Sequence, residues 1–208
     1  MIKLTIDDKN YDVPSEWSEL TLDQWQKISE IDVSYEEEEF RSYYLVLNVL
    51  AIFDIFGDLT SLSIPDIIKI GNNMKYLYES PISTLKNIIK IDNKEYGLEE
   101  NMFSMSSGSY FDSDRLVKKM KNIDKLHILM ATFYRPIKKK NKKGFNIEDY
   151  DTISLNERAE IFKKVSALEA AAFINFIMAH GVACIEHFQL FTAQKLAEMK
   201  VDQVSKKA

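Results

Sequence analysis

The chain has 208 residues and a formal net charge of −5; 46% of the residues are hydrophobic, 28% are charged and 12% are aromatic. These proportions are typical of a folded globular protein and exclude a largely disordered chain, which cannot bury enough apolar surface. A single cysteine, Cys184, excludes an internal disulfide and with it a small disulfide-stapled secreted fold. We predict a single mainly helical domain over residues 1–208.

Residues 1–14 predict a β-hairpin. Ile2, Leu4 and Ile6 alternate with polar residues, and a polar turn separates them from Tyr11–Val13. The segment lacks the long apolar core of a signal peptide, so none is expected. The best membrane candidate, Ala170–Ile185, is shorter than the roughly 20 residues of a membrane span, so no membrane contact is expected.

Helix-start signals recur along the chain, and they are the reason for predicting a mainly helical fold. A hydroxyl side chain followed three residues later by Gln or Glu forms a capping box, while acidic residues and proline favour a first turn. These signals lie at Thr21 with Gln24, at Glu36–Glu39, at Pro65, at Ser154 with Glu157, and at Ser166 with Glu169. Trp17 is expected to pack on Trp25. The last helix is predicted to run from Ser166 to about Val204, with Lys195–Ala208 as a flexible or partner-docked tail.

The middle of the chain predicts a second, smaller hairpin and a serine-rich loop. Apolar residues on both sides of Asp92–Lys94 indicate the hairpin, within Leu85–Leu98. Asn101–Ser113 is rich in serine and contains a glycine, which favours a loop, and Asp114–Tyr134 then predicts one helix. The expected fold class is therefore mainly α (α+β), a helical domain with an N-terminal β-hairpin and a second small hairpin.

Leu126–Asp151 departs most from an ordinary composition. An apolar helical run stops at Arg135 and Pro136, because proline cannot continue a helix, and five lysines follow in a predicted exposed loop. Three uses are open for this loop: a solvated tip, a contact with an acidic protein, or a contact with nucleic acid. The acidic net charge and the lack of a nucleic-acid-binding motif disfavour the last. The partner-facing residues that we predict are Tyr134, Arg135, Lys138, Lys139, Lys140, Lys142, Lys143 and Tyr150.

Charge is strongly segregated along the sequence. Met1–Thr60 contains fourteen Asp and Glu against four Lys and Arg, whereas Arg115–Phe145 contains eleven Lys and Arg against one acid. Two outcomes are open. The segments either neutralise each other within one monomer, or they form opposite patches that pair between copies arranged head to tail.

The sharpest candidate for chemistry is a set of three residues near the C-terminus. His180, Cys184 and His187 fall on one face of a predicted helix, a spacing that zinc ligands use. A fourth ligand is missing nearby and the neighbours are apolar, so we interpret the set as part of a buried helix face. The sequence contains no phosphate-cradling loop and no hydrolase motif. We therefore expect no enzyme activity, no metal, no cofactor and no small-molecule substrate.

Two parts of the sequence resemble a known group of proteins. The first is YDVPSEWSELTLDQWQKI, which combines a short strand, a proline and a helix start. The second comprises LHILMATFYRPI, a basic turn, and then FNIEDYD, NERAEIF and AAFINFIMAHG. Together they resemble small structural proteins encoded among the virion genes of crAss-like and related tailed bacteriophages.

This resemblance implies a non-enzymatic virion component, either a ring protein of the portal and tail assembly or a cargo protein packaged in the particle. The implied partners are other virion proteins and copies of the chain itself in a symmetric ring, after assembly in the bacterial host cytoplasm. Head-to-tail contacts close such rings, and segregated charges suit them. The alternative is a tail-assembly chaperone or scaffold that is not retained in the virion.

Overall fold

The computed structural model of the protein describes residues 1–6, 9–55, 62–101, 105–142 and 144–179. Within them the chain forms seven α-helices and six strands in two antiparallel sheets, a mixed α/β fold. The prediction of a mainly helical fold is therefore wrong, although its α+β component agrees with the structure. The difference arises because the lysine-rich segment, predicted to be a loop, pairs as two strands with the second hairpin.

Strands come in pairs along the chain, and helices connect them. The strands are β1 (Ile2–Ile6), β2 (Lys9–Val13), β3 (Ile88–Ile91), β4 (Lys94–Leu98), β5 (Tyr134–Asn141) and β6 (Gly144–Ile147). The helices are α1 (Leu22–Ser29), α2 (Arg41–Ile52), α3 (Ile64–Asn73), α4 (Ser107–Lys119), α5 (Leu126–Phe133), α6 (Leu155–Phe162) and α7 (167–179), with a 3₁₀ turn at Lys75–Tyr78.

The N-terminal hairpin is confirmed, with β1 and β2 paired from Ile2 opposite Val13 to Ile6 opposite Lys9. Its buried side chains pack with those of α2 and α3, because each element buries one apolar face against the others. We call this cluster the N-terminal core. Its buried members are Ile6, Val13, Val46, Val49, Leu50, Ile55, Ile67, Ile70 and Met74.

The first helix begins as predicted. The Thr21 hydroxyl accepts a hydrogen bond from the Gln24 amide at 3.2 Å, and the Gln24 side chain accepts one from the Thr21 amide at 3.0 Å, which completes the capping box. Trp17 packs edge-on against Trp25, with ring centroids 5.0 Å apart. Both predictions are confirmed.

The other helix starts agree only in part. Pro65 lies in the first turn of α3, and Ser166 accepts a hydrogen bond from the Glu169 amide at 3.2 Å, as predicted. At α6, however, Ser154 makes no side-chain cap; instead the Asp151 carboxylate accepts from the Ile153 and Ser154 amides. The Asp151 pKa is lowered by these backbone hydrogen bonds, the one from Ile153 first.

The second hairpin is confirmed and belongs to a four-stranded sheet in the order β3-β4-β5-β6. Asp92 and Asn93 connect β3 to β4 with φ angles of 47° and 65°. Two consecutive residues with positive φ give the twist that a two-residue hairpin turn requires, and Asp and Asn tolerate that conformation well.

Helices cover the sheet around a cluster of buried aromatic rings that we call the C-terminal core. The ring of Phe162 in α6 lies 5.2 Å from Tyr96 in β4 and 5.9 Å from Tyr134, between ring centroids. Phe173 in α7 lies 5.5 Å from Phe133. Offset and edge-on aromatic pairs add stabilisation beyond that of buried area alone.

The segment predicted as one helix, Asp114–Tyr134, is two helices, α4 and α5. The chain turns between them at Asn122, which has a φ of 53°, and the Asp124 carboxylate accepts from the Lys121 amide at 2.8 Å. Of the predicted serine-rich loop, Ser107–Ser113 is helical, because Ser106 caps α4 and accepts from the Ser109 amide. Serine is as suitable for a helix cap as for a loop.

The two cores are connected through the first helix and the segment preceding it. Leu20 and Leu22 exchange backbone hydrogen bonds with the chain entering α7, at 2.7 Å each. Gln26 of α1 is buried, and its side-chain amide donates to the backbone oxygens of Ile123 at 2.6 Å and Asp124 at 3.0 Å.

Candidate functional site

The predicted contact residues lie on the β5–β6 hairpin at one edge of the four-stranded sheet. Burial falls along β5: Tyr134, Arg135 and Pro136 are buried, whereas residues 138–141 are exposed. The lysines therefore stand on a strand that extends from the core, and the prediction of an irregular loop is wrong. Pairing with β4 and β6 supplies the backbone hydrogen bonds that a loop would leave to water. We call the segment Ile137–Ile147 the lysine hairpin.

The hairpin folds back over the sheet at Gly97. A Cβ built on Gly97 would lie 2.3 Å from the Phe145 ring and 2.7 Å from an Ile147 methyl carbon. A glycine inside a strand commonly marks such a close approach, because any side chain there would fill the same space. Gly97 was not among the predicted site residues, although a glycine inside a predicted strand is a signal that could have found it.

The lysines of the hairpin differ in their partners. Lys138 pairs with Asp149 at 3.0 Å, and this hydrogen bond lowers the pKa of Asp149. Lys140 pairs with Glu95 of β4 at 3.1 Å. The exposed side chains of Lys139 and Lys142 form no ion pair within the part of the chain that is described. Lys139 and Lys142 can therefore pair directly with a partner's carboxylates, whereas Lys138 and Lys140 would first have to exchange a weak exposed pair.

Arg135, predicted to be partner-facing, is 6% exposed and lies at the base of the hairpin. One guanidinium nitrogen, Nη2, donates to Glu99 at 2.8 Å, while Nε is buried and has no hydrogen-bond partner in the described residues. Arg158 lies near enough that its pKa is lowered, first by burial and then by the charge of Arg135. Of the two guanidinium groups at this end of the sheet, that of Arg135 is thus balanced by the Glu99 carboxylate.

The two tyrosines predicted to face a partner are anchored in the fold. Tyr134 is buried in the C-terminal core and its hydroxyl donates to the Lys86 carbonyl at 2.6 Å, so it is not part of a surface; burial raises its pKa. Tyr150 is half-buried and donates to Asp112 at 2.6 Å, and its ring lies 3.4 Å from a Cβ built on Gly108. Burial, followed by the Asp112 hydrogen bond, raises the Tyr150 pKa.

A groove of about 720 Å³ runs beside the hairpin. It is open to solvent, and it combines apolar walls with the Arg135 guanidinium and the start of α4. Six of its lining residues are Leu98, Ser106, Arg135, Phe145, Ile147 and Tyr150. Its charged lining consists of the carboxylates of Glu99, Glu148 and Asp149 beside Arg135 and Lys138. Apolar walls with groups of both charges suit a peptide segment that carries an aromatic side chain and polar groups.

A second surface feature was missed as a site by sequence reasoning. Glu36–Glu39 were assigned to the start of a helix, but α2 begins at Arg41 and the acidic residues form turns before it. Tyr35 and Phe40 flank them and are 74% and 48% exposed. We call Tyr35–Phe40 the acidic segment. Its signal in the sequence is a run of four glutamates between two aromatic residues.

Several predictions lie outside the described residues. They concern the side chain of Lys143, the metal candidates His180, Cys184 and His187, and the tail Lys195–Ala208. Within the described ranges, no three His, Cys, Asp or Glu side chains are arranged to hold a metal ion. None of the helices in those ranges has the length and apolar character needed to cross a bilayer.

No protein-family model, curated protein or solved structure matches the chain. The resemblance to phage virion proteins therefore remains an expectation from the sequence.

Proposed function

We propose that this chain is a non-enzymatic structural component of a tailed bacteriophage virion that acts through protein–protein contacts. Its place would be in the portal and tail ring assembly, or in the particle as a packaged cargo protein. One observation carries the proposal: the lysine hairpin extends from the core at the sheet edge, beside a groove lined by apolar side chains and by groups of both charges. The phage assignment rests on the sequence resemblance alone.

The geometry favours a protein partner at this edge. Among the described strands none pairs with the outer side of β6, so its backbone groups can pair with an added strand. The groove adds apolar contact area, which a partner side chain can bury. Strand pairing and side-chain burial together are a recurring mode of peptide recognition.

Nucleic acid is the less favoured partner for the same hairpin. Two of its lysines, Lys138 and Lys140, already pair with carboxylates, and Glu99 and Asp149 line the groove. Phosphate binding scales with the number of cations that are free to replace counterions. A gel-shift assay across salt concentrations, repeated with Lys139→Ala and Lys142→Ala, tests this. Binding at low salt that these changes abolish would favour nucleic acid.

Copy number in purified particles tests the proposed role. Quantitative mass spectrometry of virions from a phage that encodes the chain is expected to find it at a fixed ratio to the portal protein. Presence in infected cells but absence from particles would favour the tail-assembly chaperone or scaffold instead. Absence from both would contradict both roles.

A further inference from the structure

The segregated charges do not neutralise each other within the described part of the monomer. In the described residues, the side chains of Arg115–Phe145 form ion pairs with one another or with residues that follow Thr60 in the sequence. None of these pairs involves a residue of Met1–Thr60. The pair made by Lys27 and Asp23 lies within the acidic segment of the sequence. Within the described residues, the ion pairs therefore leave Glu37, Glu38 and Glu39 before α2, and Lys139 and Lys142 of the lysine hairpin, available to other molecules.

The acidic segment is held in one conformation by its own neighbours. Arg41 donates from Nε to the Glu36 carbonyl at 3.1 Å and from Nη2 to the Ser34 carbonyl at 3.2 Å. The Phe40 amide donates to the Glu37 carbonyl at 2.9 Å. Since Arg41 uses backbone oxygens, it does not pair with the glutamate side chains. A preordered segment loses less conformational entropy when it binds.

Negative charges lie close together on the acidic segment. Glu37, Glu38 and Glu39 are exposed and form no ion pair with any residue in the described ranges. The aromatic rings of Tyr35 and Phe40 are exposed at its two ends. Aromatic residues frequently anchor interfaces, and adjacent carboxylates give such an anchor a preferred orientation.

The lysine hairpin is complementary to this segment in charge, and the groove beside it is complementary through its apolar walls. The carboxylates of the groove, those of Glu99, Glu148 and Asp149, leave the hairpin lysines as the part that attracts the acidic segment. The exposed lysines Lys139 and Lys142 match carboxylates, and the walls formed by Phe145 and Ile147 match an aromatic ring.

We propose that the acidic segment Tyr35–Phe40 of one copy docks on the lysine hairpin and groove of a second copy, head to tail. This inference rests on the proposed function in one respect, since it identifies the protein partner of the hairpin as the chain itself. The two surfaces differ, so each bound copy still presents one free surface of each kind. Association can then continue beyond a dimer, and it weakens as salt screens the charges.

Sedimentation velocity of the full chain, at a series of concentrations and at low and high salt, tests the proposal with charge-reversal variants. One variant carries Glu37→Lys and Glu38→Lys; the other carries Lys139→Glu and Lys142→Glu. In either variant alone, the acidic segment and the lysine hairpin carry charges of the same sign. We therefore expect the association constant to fall by about tenfold or more. An equimolar mixture of the two variants should associate again, because each supplies the surface that the other needs.

Two controls exclude unfolding and a general charge effect. A chain that carries all four reversals has both surfaces inverted and should associate with itself, which a misfolded chain cannot do. Lys119→Glu with Lys121→Glu makes the same change in net charge on exposed lysines at the end of α4 and beyond it, outside the hairpin. This control should associate like the unmodified chain.

A chain that stays monomeric at low salt and high concentration would overturn the self-docking proposal, as would a mixture that fails to associate. Neither result contradicts the proposed virion role, which depends on copy number in particles. Conversely, self-association of a chain that is absent from virions would support the docking and contradict the virion role.

Discussion

The two cores of this protein differ in the residues they bury and in those they leave at the surface. The N-terminal core is aliphatic, and no aromatic side chain is among its fully buried members. The C-terminal core contains six buried aromatic rings, those of Tyr96, Phe133, Tyr134, Phe162, Phe173 and Phe176. Large exposed apolar residues are also more numerous around the N-terminal core, where Tyr35, Phe40, Tyr44, Ile64, Ile68 and Tyr78 lie.

The architecture of each core determines which surface it leaves exposed for the proposed contacts. The C-terminal core is a sheet covered by helices, which closes its apolar surface and leaves one charged edge exposed. The N-terminal core has only a two-stranded sheet, so α3 exposes Ile64 and Ile68 while it buries Ile67 and Ile70. A protein that contacts its own copies head to tail has to present two unlike surfaces, and these regions supply them.

Truncation of the aromatic core gives the largest expected effect. Phe162→Ala removes a fully buried ring that contacts Tyr96 and Tyr134, and should lower the free energy of unfolding by about 3–5 kcal/mol. Leu50→Ala in the N-terminal core should cost about 2–5 kcal/mol. Denaturant unfolding measures both.

The same experiment asks whether the two cores unfold together. Because α1 joins them, both variants should shift one common transition. Two separate transitions, each moved by only one variant, would contradict a single cooperative unit. Ile153→Ala, at a position that is 90% exposed, is the control and should change the free energy by no more than about 0.5 kcal/mol.

Gln26 tests the connection between the cores more selectively. Gln26→Leu keeps the apolar bulk but leaves the carbonyls of Ile123 and Asp124 without their donor, at an expected cost of about 1–3 kcal/mol. The control is Lys27→Leu, which removes only an exposed pair with Asp23. If the two changes lower the free energy of unfolding equally, the buried Gln26 amide does not stabilise the contact between the two cores.

Gly97 tests the fold-back of the lysine hairpin. Gly97→Ala places a methyl group into the Phe145 ring and should lower the free energy of unfolding by about 1–3 kcal/mol. Phe145→Ala opens that space, so the double variant should cost less than the sum of the single ones. Strict additivity in the double-mutant cycle would mean that the ring does not rest on Gly97.

The smallest expected effect is a dependence of stability on pH through His127. His127 is partly buried, and its Nδ1 lies 2.9 Å from Gln26 Nε2. Burial, and then the charge of Lys163, lower the His127 pKa below its ordinary value of 6.5. The unfolded chain therefore takes up the proton first. The contribution of His127 to stability is fully present above its ordinary pKa. This contribution is lost as the pH falls through the lowered pKa of the folded state.

Unfolding curves of the unmodified chain and of His127→Gln, measured on both sides of the ordinary histidine pKa, check this expectation. The unmodified chain should lose more stability on acidification than the variant, in which the substituted amide oxygen can still accept from Gln26. An identical pH dependence of the two proteins would contradict it.

The sequence predicted those parts of the fold that depend on local signals. The Thr21 capping box, the Trp17–Trp25 contact and the hairpin turn at Asp92 each involve residues close in the chain. Local chemistry is enough to specify such features.

The lysine hairpin was missed as a strand because its structure depends on distant residues. Nothing in Lys138–Asn141 favours a strand locally, and it forms one beyond the point where β4 pairs with Tyr134, Arg135 and Pro136. Strand preference is set largely by such neighbours. The burial of Tyr134 has the same origin in tertiary packing.

Lysine acetylation tests most directly whether the lysine hairpin is a contact surface. The chain is labelled in its associated form, at high concentration and low salt, and as a dilute monomer, and the modified sites are quantified by mass spectrometry. We expect Lys139 and Lys142 to react more slowly in the associated form, while Lys119 and Lys121 react equally in both. Equal reactivity of Lys139 and Lys142 in the two forms would contradict it.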